Sequence, residues 1–176
     1  NFNSVDVKSG AVTLSGVSTY SGATVVSGGR LILDGAQRIA ADSQLILNGG
    51  SLRLMNAGAG GQTFASLSLL DNASVMLGSS SLTFNGLGAI TNGKTLSFTE
   101  AASGAYAFRL LGDYSTDSNF LALIGLTSIN GQSASFHFNG IYTDVAAAVP
   151  EPSTYAMLFA GLGLIGAIAR RRKQRV

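Results

Sequence analysis

The feature that most constrains this chain is a self-overlay near its start. Gly28-Gly29-Arg30-Leu31-Ile32-Leu33 repeats as Gly49-Gly50-Ser51-Leu52-Arg53-Leu54, 21 residues further on, and Val25-Val26 then falls on Ile46-Leu47. Units of this size cannot bury an apolar face alone, so successive units stack and bury it against one another. A second overlay sets Asp42–Leu54 on Asn72–Phe84 at an offset of 30, placing Leu45 on Val75, Leu47 on Leu77 and Leu52 on Leu82.

From Ala11 to Phe98 the sequence is a succession of short apolar alternations punctuated by Gly and Asn. Strands are predicted over 11–14, 23–26, 30–33, 44–47, 51–54, 66–69, 74–77, 81–84 and 94–98. No window of useful length carries a 3.6-residue period, so no helix is expected before the C-terminal end. Alternation sends Leu31/Leu33, Leu45/Leu47, Leu52/Leu54, Leu67/Leu69, Val75/Leu77 and Leu82/Phe84 inward and the intervening polar residues outward. Burying one Leu is worth roughly 1.5–3 kcal/mol, enough in sum to outweigh weak strand preferences. Gly28-Gly29, Asn48-Gly49-Gly50 and Asn85-Gly86 are the expected positive-φ corners. The expected fold class is all-β, a right-handed parallel β-helix or solenoid over residues 1–100. The competing arrangement is antiparallel, because Asn-Gly between alternating runs is also a hairpin signal.

The pattern loosens from Ala101 to Val145. Strands are expected over 105–111, 120–126 and 134–138, with Phe108, Phe136 and Phe138 closing the end of the solenoid as a β cap over 101–145. A terminal coil needs such a cap, since its open edge otherwise recruits another chain.

Residues 146–152 read as a linker, and both prolines of the chain, Pro150 and Pro152, lie in it. They fix φ, withhold donors from a sheet and push preceding residues into extended conformations. Residues 153–169 contain no charged side chain. As a helix they reach about 25 Å, the short end of what spans a bilayer. The basic cluster 170–176 follows, with Arg170, Arg171, Arg172, Lys173 and Arg175. Such a cluster resists translocation, so a single C-terminal transmembrane helix is expected, its end in the cytoplasm and the preceding domain outside. An outward domain needs an export signal and none precedes it here, so a missing N-terminal segment is expected.

The tail Val149-Pro150-Glu151-Pro152, the apolar run from Tyr155 to Ala169 and the Arg-rich end resemble the PEP-CTERM protein-sorting signal of Gram-negative bacteria. The resemblance implies that Pro150, Glu151 and Pro152 form the recognition motif for a membrane-embedded exosortase, a protease or transpeptidase, and that Arg170 to Arg172 form the stop. It also implies bacteria that make exopolysaccharide or biofilm. Leu14-x-Gly16-x-x-x-Tyr20-x-Gly22-x-Thr24-x-Val26-x-x-Gly29-x-Leu31 resembles the autotransporter-associated β-strand repeat. That family implies a parallel β-helix on the bacterial surface. An autotransporter, however, ends in an outer-membrane β-barrel of about 10-residue strands, whereas this chain ends in an apolar run and a basic cluster.

Composition narrows the chemistry. Five of the 11 basic residues follow Ala169, leaving six against nine acidic, so the isoelectric point near 9.2 belongs mostly to the tail. No basic patch remains to bind nucleic acid. Cysteine is absent, which removes disulfides, thiolate catalysis and Cys-type zinc sites. The single histidine, His137, sits between Phe136 and Phe138 in an alternating strand and is expected to point away from both rings. Ser135 and Asp144 lie near it in sequence, but a hydrolase triad is defined by geometry, and no nucleophile elbow is present. Asp113 to Asn119 alternates oxygen-bearing side chains as calcium loops do, yet lacks the central Gly and the closing Glu, so a solvated loop is expected. Asp34, Asp42 and Asp71 all sit beside turns, which explains them without glycoside chemistry. Gly161-x-Gly163-x-x-Gly166 lies in the apolar run and follows no strand, so it does not read as a nucleotide loop. No catalytic, cofactor-binding or metal-ligating residue is expected. The leading expectation is a non-enzymatic surface or matrix protein, structural or adhesive, that passes through the inner membrane to the cell surface. The alternative is the C-terminal part of a polysaccharide-active β-helix enzyme with the same sorting tail.

Overall fold

The computed structural model describes residues 3–148, a stack of β-coils closed at one end. The first coil is β1 (Val5–Val7) and β2 (Ala11–Leu14), and the second is β3 (Thr24–Val26) and β4 (Arg30–Asp34). The third is β5 (Gln44–Asn48), β6 (Ser51–Met55) and β7 (Gln62–Phe64), with a 3₁₀ turn at Gly58–Gly60 between the last two. The fourth is β8 (Ser66–Asp71), β9 (Ala73–Met76) and β10 (Leu82–Phe84); the fifth is β11 (Leu87–Ile90), β12 (Leu96–Thr99) and β13 (Phe108–Leu111). The chain then forms α1 (Ser118–Gly125), β14 (Thr127–Ile129), β15 (Gln132–Phe138) and β16 (Tyr142–Ala147).

Coils pair in parallel on each face. β1-β3-β5-β8-β11 forms one sheet; β2-β4-β6-β9-β12-β14 forms a second face, and β7-β10-β13 a third. The expected 21-residue overlay is the real register, since Leu31 pairs with Leu52, Leu33 with Leu54, Val25 with Ile46 and Val26 with Leu47. The overlay at 30 is not. Leu45 pairs with Leu67, Leu47 with Leu69 and Leu52 with Val75, so the coil length stays near its first value. Inward alternation is shared by the two overlaid segments, and an offset of 30 preserves it while assigning strands to the wrong face.

The inward residues are buried as the alternation requires: all twelve from Leu31 to Phe84 named above are at most 1% exposed. On the third face the ladder becomes aromatic. Phe64 stacks on Phe84 at 5.9 Å, Phe84 meets Phe108 edge-on at 6.1 Å, and Phe108 stacks on Phe98 at 5.1 Å. Of the expected corners, Gly29, Gly49 and Gly50 have positive φ, whereas Gly28 and Gly86 do not. Gly28 serves a different need, because the Lys8 carbonyl of the previous coil packs where its Cβ would stand.

The residues that carry the 14–31 resemblance have physical duties. Ser43 Oγ donates to the Gly22 carbonyl at 2.6 Å, which leaves Thr24 to donate to Ser43 at 3.0 Å and Tyr20 to donate to Thr24 at 2.9 Å. Thr24 and Ser43 are fully buried, so this relay satisfies polar atoms that would otherwise cost a desolvation penalty. Burial pushes the Tyr20 phenol above its ordinary value, with the Thr24 bond opposing. Gln62 does similar work, its amide accepting from Ile39 N at 3.2 Å and donating to Ile39 O at 2.9 Å.

The end of the stack departs from expectation. Residues 120–126 are largely helix rather than strand, and α1 overturns the reading that no helix precedes the tail. Asp117 caps it, accepting from Phe120 N at 2.8 Å, and Phe120, Leu123 and Ile124 form a buried i, i+3, i+4 stripe. That stripe spans only two turns. β1, β7, β11, β14 and β16 were not among the predicted strands. β14 pairs antiparallel with β15, β15 with β16 and β16 with β13, so the cap knits the second face to the third. Phe136 packs edge-on against Phe120 at 5.2 Å. Among the described residues no helix is long and apolar enough to cross a membrane.

Polar links run between coils on the outside. Lys94 Nζ donates to Asp71 at 2.8 Å, and Asn72 Oδ1 accepts from Thr95 N and Oγ1. The Lys94 bond, aided by the Asn72 amide, holds the Asp71 carboxyl below its ordinary range. A lowered carboxyl contributes stability that is present above the unfolded carboxylate range and lost as pH falls through the folded pKa. Lys94→Met is expected to return Asp71 toward the ordinary value in an NMR titration; an unmoved Asp71 would assign the shift to the Asn72 amide. Leu47→Ala is expected to cost about 3 kcal/mol in denaturant unfolding, because the stacked ladder cannot collapse into the space. A loss below about 1 kcal/mol would show that the coils repack freely.

Candidate functional site

Sequence alternation and strand register together build one polar surface. β7, β10, β13, β16 and β15 lie side by side, and their inward positions are taken by Phe64, Phe84, Phe108, Val145 and Phe136. The outward positions therefore align as a row: Thr63 beside Thr83, Thr83 beside Arg109, Arg109 beside Asp144 and Asp144 beside His137. The row crosses from three parallel coils onto the antiparallel cap.

Arg109 is the centre of the row. Its Nε donates to Thr83 Oγ1 at 3.2 Å, and its guanidinium carbon lies 4.1 Å from the Tyr142 ring centroid and 4.9 Å from that of Tyr106. A guanidinium over two rings is attracted by both quadrupoles, which, with the Thr83 bond, fixes its place on this surface. Asp144 accepts from Asn139 Nδ2 at 2.7 Å through Oδ2, while Oδ1 is buried without a hydrogen bond among the described residues. His137 is exposed and points away from the half-buried Phe136 and Phe138, as its place in the alternation predicts. A shallow groove of about 500 Å³ runs beside it, lined by Tyr106, Ser135, His137 and Asp144.

The structure thus brings Ser135, His137 and Asp144 to one face, but not into a catalytic relay. Ser135 Oγ donates to the Ala146 carbonyl at 3.4 Å, and the Asp144 hydrogen bond comes from Asn139. No bond links the three side chains to one another among the described residues. Nor does any group of three His, Asp or Glu able to hold a metal occur among them. In the loop from Asp113 to Asn119, expected to be solvated, Asp113 accepts from Ser115 N at 2.9 Å, which lowers its carboxyl, and Asp117 is committed to capping α1. Asp34 accepts from Asn56 at 2.7 Å, Asp71 is engaged by Lys94, and Asp42 stands exposed in a turn.

Arg109, Tyr106 and Tyr142 were not singled out by sequence. Tyr142 and Asp144 alternate in one strand, but only the antiparallel return of β16 beside β13 sets them against Arg109. Arg109→Ala is expected to lower stability by about 1 kcal/mol in denaturant unfolding, with Arg109→Lys recovering less than half, since an ammonium lacks the planar guanidinium that reaches Thr83 and both rings at once. An unchanged midpoint for Arg109→Ala would remove these cation–ring contacts from the energetics of the cap.

The predicted sorting residues Val149, Pro150, Glu151 and Pro152, the apolar run 153–169, and Arg170, Arg171, Arg172, Lys173 and Arg175 lie outside the described residues. The described fold runs up to their start: Ala148 N donates to Ser133 O at 2.8 Å, tying the last described residue to β15. No curated protein and no solved structure matches the chain. Residues 148–173 match the PEP-CTERM protein-sorting motif, so the chain carries this signal immediately after its cap.

Proposed function

We propose that this is an exported, non-enzymatic surface or matrix protein whose β-solenoid serves as a spacer or adhesive module and whose tail directs its sorting. The match of residues 148–173 to the PEP-CTERM motif carries the reading. In this reading an exosortase recognises Pro150, Glu151 and Pro152, and the run 153–169 crosses the inner membrane once. Arg170, Arg171, Arg172, Lys173 and Arg175 hold its end in the cytoplasm, because clustered Lys and Arg resist translocation. The domain before Ala148 then faces outward, and processing near the motif passes it to the cell surface or the surrounding matrix.

A stack of parallel coils suits that duty. Its interior is a continuous apolar ladder and its exterior presents Ser, Thr, Asn and Gln on flat faces. The row from Thr63 to His137, with Tyr106 and Tyr142 beside Arg109, offers hydroxyl, amide, carboxylate and aromatic groups together. Those groups fit contact with a hydroxyl-rich polymer, and an exopolysaccharide is the partner proposed for it.

Mass spectrometry of the protein recovered from its native host tests the sorting reading. The expected result is a surface or extracellular species that gives peptides up to the Pro-Glu-Pro region and none from 155–176. In the same host, Glu151→Ala with Pro152→Ala is expected to leave the tail attached and the protein in the inner membrane. A wild-type tail that persists intact in the inner-membrane fraction would overturn exosortase processing and leave an ordinary permanent anchor.

A further inference from the structure

The last layer of the stack carries an excess of apolar surface. Among the described residues, four large apolar side chains between 111 and 141 are exposed, Leu111, Leu121, Leu126 and Ile141, against two, Met55 and Leu70, in the second to fourth coils together. In those coils strand alternation turns such side chains inward, whereas on α1 the helical period turns some of them out. Phe120, Leu123 and Ile124 take the buried side, which leaves Leu121 (42% exposed), Ala122, Gly125 and Leu126 (43% exposed) on the other. A surface helix ordinarily sets charged residues on that side, and α1 has none.

Chain length brings this surface to a membrane under the proposed sorting. Ala148 N is held by Ser133 O at 2.8 Å, and Ser133 pairs with Ser128 of β14, the strand that α1 leads into. β14 and β16 are two strand spacings apart, about 10 Å, so α1 ends beside the point where the tail departs. Only residues 149–152 separate Ala148 from the uncharged run 153–169, and the five Cα steps to Ser153 cover at most about 18 Å. The headgroup layer takes roughly 5–8 Å of that. What remains is about the diameter of one helix, roughly 10–12 Å. With the run in the bilayer, the cap is held within that distance of the headgroups.

We infer that the outward side of α1, with Leu121 and Leu126, is a lipid-contacting surface that rests in the headgroup region while the tail is attached, an inference that rests on the sorting reading above. The charge of the cap selects the kind of lipid surface. No Lys or Arg occurs from 110 to 148, where Asp113, Asp117 and Asp144 stand, so nothing there attracts anionic headgroups. Contact is apolar and suits a zwitterionic surface. Two leucines bind a membrane only marginally by themselves. The tether supplies the rest by confining the cap to a thin layer, where a weak contact becomes an occupied one. Processing near Pro150 removes the tether, and the domain then leaves the lipid.

The chain has no cysteine, so one introduced thiol is unique. Leu121→Cys, Leu126→Cys and, as control, Met55→Cys, which is 37% exposed in the third coil, each carry a polarity-sensitive dye in the full 176-residue chain. The chain is reconstituted in phosphatidylcholine vesicles, and brominated lipid is the quencher. The expected result is at least about twofold quenching at 121 and 126, with the label at 55 unchanged, in low salt and in about 1 M salt alike. Leu126→Asp is expected to abolish quenching at 121 while the chain still floats with the vesicles. A chain that floats with unquenched labels at 121 and 126 overturns the docking and leaves the anchor standing. So does a dye at 126 that shifts to the blue without quenching, which makes a second copy of the chain the occupant. Equal quenching at 55 and 126 also overturns it, since the whole domain then lies on the lipid. A chain that does not float overturns the anchor and the docking together.

Discussion

Everything in this molecule depends on one constraint: a coil of about 20 residues has too little interior of its own, so its apolar face is buried only by the coil above and the coil below. Leu31 is fully buried because Leu52 lies beside it in register, and Leu45 because Leu67 does. Parallel stacking at strand spacing leaves no slack at the corners. The previous coil's carbonyls therefore sit directly on Gly22, Gly28 and Gly29, and a side chain at those positions would collide with backbone. Polar groups that the stack must bury are answered locally, through the Tyr20–Thr24–Ser43 relay and the Gln62 amide.

The same constraint makes the end of a stack a problem, and the cap solves it by changing strand direction. β14 continues the second face in parallel, β15 reverses, and β16 inserts between β15 and β13 on the third face. One strand thereby receives a neighbour from each side, and neither face ends in a free edge there. α1 covers what the strands do not, with Phe120 lodged between Tyr114 and Phe136. The reversal also has a surface consequence. It sets Asp144 and His137 beside Arg109, so that chemical variety is concentrated where parallel repetition stops.

How much of this could be read from the sequence follows from how local each determinant is. Leu31/Leu33 against Leu52/Leu54 was legible because Gly-Gly precedes both pairs and fixes the phase as well as the alternation. Leu45 against Val75 misled because alternation alone specifies inward or outward and leaves the face unspecified; the true partner, Leu67, lacks a Gly-Gly marker. α1 was missed because its buried stripe is three residues, Phe120, Leu123 and Ile124, too short to stand out from strand alternation. The row from Thr63 to His137 was hidden for a different reason, since its members are far apart in sequence and meet only through the antiparallel return. The Pro150-Glu151-Pro152 tail was legible because it is a linear signal that needs no fold to be recognised, and residues 148–173 match the sorting motif.

The position of the tail gives the stack a direction. Ala148 is tied to β15, so the sorting segment follows directly on the capped end of the stack. A parallel stack lengthens by about 4.8 Å for each coil added. Under the proposed sorting, the number of coils sets the reach from the membrane without disturbing the cap, the polar row or the tail. Reach and anchoring are then separable, because each coil touches only its neighbours.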